Sequence, residues 1–366
     1  MARLGMVAAT VLAALALSAC GDDAASPGAA QDASNDASEL DAARAEGGDD
    51  ASADGGDDAS ADGANDAASE GGDGGAGARR GWELDETNTG LAGVGLDCAS
   101  LSRYTGAEKP KAGAVIERVR ITTGLDLSNG GITLDRVCIQ PTSVGQGMPV
   151  VTTTDYDQCC GVAPSTVTIS NSDFDGSKLS LRDAAMATAF LGVADLRNNY
   201  LHDFGSGIAI FNAGTELDAT VEGNYVGRLL GYGDPATDGN HSDAFTVRDF
   251  DTSARPSRRL VVRNNRFDCD SPNATGAFFI QTYGGPIHNL TMSGNLLQGG
   301  GYQLGLNEMN GNAYGELAAL DNRFSGTGYG PAYVQGGAGW GTWEENYRDD
   351  PSAPEHRGAP VSAPTP

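Results

Sequence analysis

Lysine is the scarcest charged residue in this chain: Lys109, Lys111 and Lys178 are the only three. With arginine they make 23 basic side chains against 49 acidic ones, a formal net charge of −26. Binding a phosphate backbone needs a basic face, so this balance argues against a nucleic-acid partner. Long apolar runs are also missing. Beyond the first residues no segment is apolar enough to cross a bilayer, which takes ~20 residues as a helix. Six cysteines and four histidines fall at no spacing that suggests zinc.

The start of the chain does carry an apolar stretch. Arg3 is followed by an uncharged run from Leu4 to Leu17, too short for a span and suited to an export signal. Leu17-Ser18-Ala19-Cys20 then resembles the lipobox of bacterial lipoproteins, in which a small residue precedes the cysteine that is acylated and becomes the new N-terminus. Residues 1–19 are therefore read as a lipoprotein signal peptide and Cys20 as a membrane anchor. Each buried acyl methylene contributes roughly 0.8 kcal/mol, so two or more chains hold without help from the protein. The expected location is outside the cytoplasm, on a bacterial membrane, facing periplasm or cell surface.

Gly21 to Ala78 consists largely of Ala, Gly, Ser, Asn and Asp, with 16 acidic residues and one basic residue, Arg44. Such a segment cannot bury enough apolar area to offset its conformational entropy. Residues 20–80 are expected to be a disordered linker reaching roughly 40 Å. Residues 81–350 read as one folded domain, and 351–366 as a disordered Pro-rich tail; the protein is expected to be a monomer.

Within the folded domain a single phrase recurs: apolar, any, apolar, any, Asn or Gly, Asn, any, apolar. Its copies start at Val167, Ala194, Ala219, Leu260, Leu290 and Leu317, with degenerate copies at Ile132 and Trp340. The eight starts lie 35, 27, 25, 41, 30, 27 and 23 residues apart. Irregular steps over a low-twenties minimum mark a solenoid whose coils carry loops of different length. The alternation is strand-like with one face inward. The Asn or Gly suits a left-handed corner, where amides of successive coils can stack. Second strand-like runs occur at Ser206–Phe211, Asp243–Phe250, Gly276–Tyr283, Tyr302–Leu306 and Pro331–Gln335. Two or three short strands per coil make a parallel β-helix, in which stacking supplies the core.

These residues resemble the right-handed parallel β-helix proteins of the pectate-lyase-like superfamily, over roughly Leu96 to Asp350. The matching positions are Gly239-Asn240-His241-Ser242-Asp243, Phe278-Phe279-Ile280-Gln281, Gly300-Gly301-Tyr302 and Tyr329-Gly330-Pro331. The resemblance implies an all-β, single-domain solenoid. It leaves the reaction open, because this fold hosts lyases, hydrolases, epimerases and non-catalytic binders.

The longest step, between Ala219 and Leu260, inserts a loop that gathers Tyr232, Asp234, Asp238, His241, Asp243 and Arg248. Loops on a rigid scaffold are where sites accumulate. Alternation points Phe245 and Val247 inward and Thr246 and Arg248 outward. Neighbouring coils are expected to place Gln281 and Tyr283 beside them, then Gln303, Asn307 and Glu308, then Tyr333 and Gln335, with His202 and Asp203 at the preceding corner. Amides, rings and a few charges suit sugar hydroxyls and ring faces, so a polysaccharide is the expected ligand.

In a uronate lyase or epimerase a base removes a proton while a cation neutralises the carboxylate. His241, Asp243 and Arg248 are the candidates, with Ca2+ held by Asp234 and Asp238. The usual Lys or Arg base of such lyases has no clear counterpart, and Tyr232-Gly233-Asp234-Pro235 resembles part of an alginate-epimerase motif, with Ala236 where a His is expected. A glycoside hydrolase needs two flanking carboxylates, for which Asp243 with Asp238 or Glu308 qualifies. His241 and Asp243 also fit a plain structural role at the loop corner. A non-catalytic surface solenoid binding a protein or an envelope component accounts for the same features. Cys138 is expected to bridge Cys159 or Cys160, across an omega-like loop in an exported chain.

A Cys20→Ser chain is expected to take up no acyl label and to move from the membrane pellet to the soluble fraction. Unchanged membrane retention would count against the anchor.

Overall fold

The computed structural model describes residues 79–366 apart from 146 and 158–160. The signal run, Cys20, the acidic linker and Cys159 and Cys160 lie outside the described residues. The rest is all-β, wound into solenoid-like coils whose strands build three long sheets of nine, eleven and eight strands, parallel throughout except for the last strand of the eleven. We call them sheets 1, 2 and 3 in the order a coil visits them. One coil runs through Leu260–Arg263 in sheet 1, Arg266–Cys269 in sheet 2 and Ala274–Gln281 in sheet 3.

The recurring phrase is the sheet 1 strand, a corner, and the start of the sheet 2 strand. Its three apolar positions point into the coil: Leu260, Val262 and Phe267 are fully buried, as are Leu290, Met292 and Leu297 one coil later. Register keeps them in columns, since Leu260 pairs with Leu290 and Phe267 with Leu297. Burying each such side chain contributes roughly 1.5–3 kcal/mol.

The corner explains the two polar letters. Its first residue is left-handed, with φ of 54° at Asn198, 67° at Gly223, 57° at Asn264 and 64° at Gly294. Asn and Gly tolerate that region best. The second residue is a buried Asn whose Oδ1 accepts the backbone N–H of the Asn one coil earlier. The chain of bonds runs Asn199 to Asn224 (3.0 Å), Asn224 to Asn265 (2.9 Å), Asn265 to Asn295 (2.9 Å), Asn295 to Asn322 (3.1 Å) and Asn322 to Asn346 (3.0 Å). Each Nδ2 donates to a carbonyl of the coil before, such as Asn265 to Val221 at 2.8 Å. At Ser172 the ladder ends on a hydroxyl, and Asn199 still accepts its N–H.

Two features depart from expectation. Cys138 is bonded to Cys98, with Cα atoms 5.3 Å apart, rather than to the cysteines of the nearby loop. The reason is a strap, Arg80 to Leu101, that runs back along the coils over sheet 2. Gly81 N–H donates to Gly294, the Leu84 carbonyl accepts from Arg266, Gly90 N–H donates to Asn198 and Leu91 N–H donates to Asp173. It thereby delivers Cys98 to the buried Cys138. Residues 351–366, expected to be a disordered tail, close the last coil instead. Arg357–Pro360 pairs antiparallel with Tyr347–Asp349, Val361 is buried, and Trp343 Nε1 donates to its carbonyl. A terminal coil with open strand edges and an apolar interior needs such a cover.

Asn265→Ala removes the acceptor of Asn224 and the donor to Val221 inside a dry corner. It is expected to destabilise the domain by at least about 2 kcal/mol, seen as a lower denaturation midpoint in urea.

Candidate functional site

The long insertion lies between Tyr225–Gly227 in sheet 2 and Ser242–Val247 in sheet 3. It folds on its own polar groups. The Asp234 carbonyl accepts from the N–H groups of Thr237, Asp238 and Gly239, while Asp234 Oδ1 accepts from Ala236 N at 3.0 Å. Asn240 clamps the base, its Oδ1 accepting Tyr232 N at 2.8 Å and its Nδ2 donating to Leu230 at 2.9 Å. Asp234 and Asp238 are thus solvent-facing members of a turn, with no third ligand gathered beside them among the described residues. The backbone of Tyr232, also bonded by Asn273 Nδ2 at 3.0 Å, fixes the loop to the next coil.

Beyond the loop the alternation holds. Phe245 and Val247 are fully buried, whereas Thr246 and Arg248 face outward. The register sorts the expected residues into columns. Thr246 pairs with Ala209 on one side and with Phe279 on the other, continuing to Gly305 and Tyr333. Gln281 follows Ile280, the partner of Val247, and shares a column with Asn307 and Gln335. The register shifts between Ser242 and Asp243, an irregularity that a count of residues per coil does not reveal. Gln303 leaves the face altogether: it is fully buried, donating to the Gly299 carbonyl at 3.3 Å and accepting from Arg348 at 3.5 Å. His202 and Asp203 also lie elsewhere, beside Asp175 on sheet 2.

What assembles on the outer face of sheet 3 is an arginine among rings, with a buried carboxyl close enough to feel its charge. The Arg248 guanidinium lies 5.8 Å from the Phe211 ring centre and 5.0 Å from that of Tyr283, one ring from the coil before and one from the coil after. Burial lowers its pKa, against the opposing pull of Asp243. Burial raises the Asp243 carboxyl to about 7, against the Arg248 charge and the Gly276 N–H. His241 sits two residues before it, its Nδ1 3.3 Å from Thr275 Oγ1, and burial holds its imidazole below the ordinary range, offset to a degree by a backbone hydrogen bond with Pro235. His241 and Asp243 thus meet adjacent residues, Thr275 and Gly276, at the head of the same strand.

Several partners escape the sequence, although Tyr333 is among the residues expected there. Phe211 reads there only as the end of a strand. Phe279, Tyr302 and Tyr333 form a ring cluster, with centres 6.1 Å apart for Phe279 and Tyr333 and 4.6 Å for Tyr302 and Tyr333; Tyr329 adds a largely exposed ring 5.7 Å from Tyr302. Their signal is alternation within Ala274–Gln281 and Tyr302–Asn307, readable only once the register is known. A cleft of about 380 Å³, lined by Arg80, Trp82, Asp321, His356 and Arg357, shares no residue with this face.

Three polar atoms here have no hydrogen-bond partner among the described residues: Asp243 Oδ1, Arg248 Nε and Asn307 Oδ1. Buried polar groups are nearly always satisfied, which sets these three apart together with others away from this face, such as Arg120 Nε and Trp340 Nε1. No family model matches the chain, and neither a curated protein nor a solved structure does.

The raised Asp243 pKa has a consequence for stability. Between about pH 4 and 7 the folded state binds more protons at Asp243 than the unfolded chain, so its contribution to stability falls as pH rises through that window. Asp243→Asn removes this group. The variant is expected to lose less stability than the parent between pH 4 and 7, measured by denaturation midpoints across the range.

Proposed function

We propose that this chain is an exported lipoprotein, anchored through Cys20, whose right-handed pectate-lyase-like β-helix binds an acidic polysaccharide on the outer face of sheet 3. The observation that carries the reading is the set of unpartnered atoms on Asp243, Arg248 and Asn307, flanked by Tyr283, Phe279, Tyr302 and Tyr333. Rings give sugar faces a stacking surface, and Arg248 offers a uronate carboxylate the charge it needs in a partly dry setting. The acidic linker serves as the tether between the anchor and the domain.

The same arrangement suits cleavage by elimination. Arg248 neutralises the uronate carboxylate, and ionised Asp243 takes the proton from the adjacent carbon. The C–O bond to the leaving sugar breaks as the carbon–carbon double bond forms, and the proton on Asp243 passes to the departing oxygen. A base with a pKa of about 7 is matched to neutral pH. His241, kept neutral by burial, helps to fix the strand head that presents Asp243. The rival is a non-catalytic solenoid that uses these rings to hold an envelope component or a protein.

A panel of uronic-acid polymers, including polygalacturonate and alginate, separates these readings by affinity gel electrophoresis and by ultraviolet absorbance of unsaturated ends. The parent is expected to bind at least one polymer and Arg248→Ala to bind it at least about tenfold more weakly. Asp243→Asn should keep binding and release no unsaturated product. Binding without product from the parent leaves the binder alone. No binding to any polymer ends the polysaccharide reading.

A further inference from the structure

A second group of chemistry-bearing side chains stands on sheet 2, on strands and a corner that the sheet 3 face does not use. Asp175 in Asp173–Asp175 pairs in register with His202 in Tyr200–His202, and Asp203 follows at the corner. One ligand atom from each of the three lies within 4.8 Å of the others. His202 Nδ1 is 2.8 Å from Asp203 Oδ2 and 3.9 Å from Asp175 Oδ1. These are not exposed acids: Asp175 is 8%, His202 9% and Asp203 9% accessible.

The positive charge that balances them comes from a side chain at the surface. Arg228 Nη2 reaches both Asp203 oxygens, at 3.0 and 2.8 Å, while its own side chain remains 56% accessible. Gln140 Nε2 donates to Asp175 Oδ2 at 2.5 Å and Ser177 N to Asp175 Oδ1 at 2.8 Å, which fixes that carboxylate. A further observation is independent of the cluster's own bonds. The Tyr200 ring, 5% accessible, stacks on His202 at 4.2 Å, and its hydroxyl lies beside Arg228, within reach of the Asp203 charge.

We propose that Asp175, His202 and Asp203 form a binding site for one first-row transition-metal dication, with Arg228 as the displaceable side chain that neutralises it in the metal-free protein. An imidazole with two carboxylates favours zinc, manganese or cobalt over calcium, which takes oxygen donors throughout. Register on a rigid sheet preassembles two of the ligands, and water fills the remaining positions. Gln140 supplies the hydrogen bond to a ligating carboxylate that such sites use to orient their donors.

The test is a Co2+ titration of the full chain, read by visible absorption, with Zn2+ as competitor. One saturable equivalent with a ligand-field band that Zn2+ erases is expected. His202→Gln should weaken that event by at least about tenfold, and Arg228→Gln should strengthen it. Both variants retain the acidic linker, so weak cation binding there is common to all three chains. Absence of a saturable band in the unaltered chain overturns the proposal, as does a band that His202→Gln leaves unchanged. Should His202→Gln fail to fold, the unaltered chain and Arg228→Gln decide, and weaker binding by the latter is also fatal.

Discussion

Everything in this domain depends on coils staying in register, and the buried Asn ladder at the corner between sheets 1 and 2 is what enforces it. Inter-coil backbone bonds alone tolerate slippage, because any strand residue offers the same N–H and C=O. A side-chain amide that accepts from one coil and donates to another fits only one alignment. A slip would leave several amides unpaired in a dry corner, each a cost of roughly 1–3 kcal/mol. With the corners fixed, the inward columns Leu260–Leu290 and Phe267–Leu297 follow, and so do the outward ones.

Outward columns are where this scaffold can carry chemistry, and two arginines show how satisfied and unsatisfied groups differ. Arg258 is fully buried, yet donates to the carbonyls of Leu217, Gly214, Asp251 and Ala213 at 2.6–3.0 Å and covers the Phe250 ring at 3.8 Å. Desolvation pulls its pKa down to about 10, and its role is complete in the folded chain: it ties the loop after sheet 3 to the preceding coil. Arg248, only ten residues earlier, is held by two ring faces and leaves Nε unbonded. The first arginine is a staple. The second is held by ring faces rather than by carbonyls.

The ends of the solenoid also shape its faces. The strap covers the outward column of sheet 2 that contains Asp173, Tyr200, Tyr225 and Arg266, and the Cys98–Cys138 bond pins its far end. The next column over holds Asp175 and His202, both buried, with Arg228 paired to Asp203 at the corner that follows. The C-terminal residues do for the last coil what a further coil would have done. Sheet 3 receives neither cover, and its rings range from buried Phe279 to exposed Tyr329.

The sequence by itself determined the coil. Alternating apolar residues and an Asn pair every few tens of residues are local signals, and they named the corners, the inward side chains and the loop carrying His241, Asp243 and Arg248. It could not place Gln303 or pair Thr246 with Phe279, because the register between coils depends on loop geometry and on one shift at Ser242. Nor could it find Cys98 for Cys138, or the joining of Asp175 to His202 and Asp203, since those contacts link residues about 27 to 40 positions apart through the stacking of coils. Composition made the last sixteen residues look like a tail, where packing against an open core made them a lid. Local chemistry writes the repeat, and only the stacked coils decide which side chains from different repeats share a face.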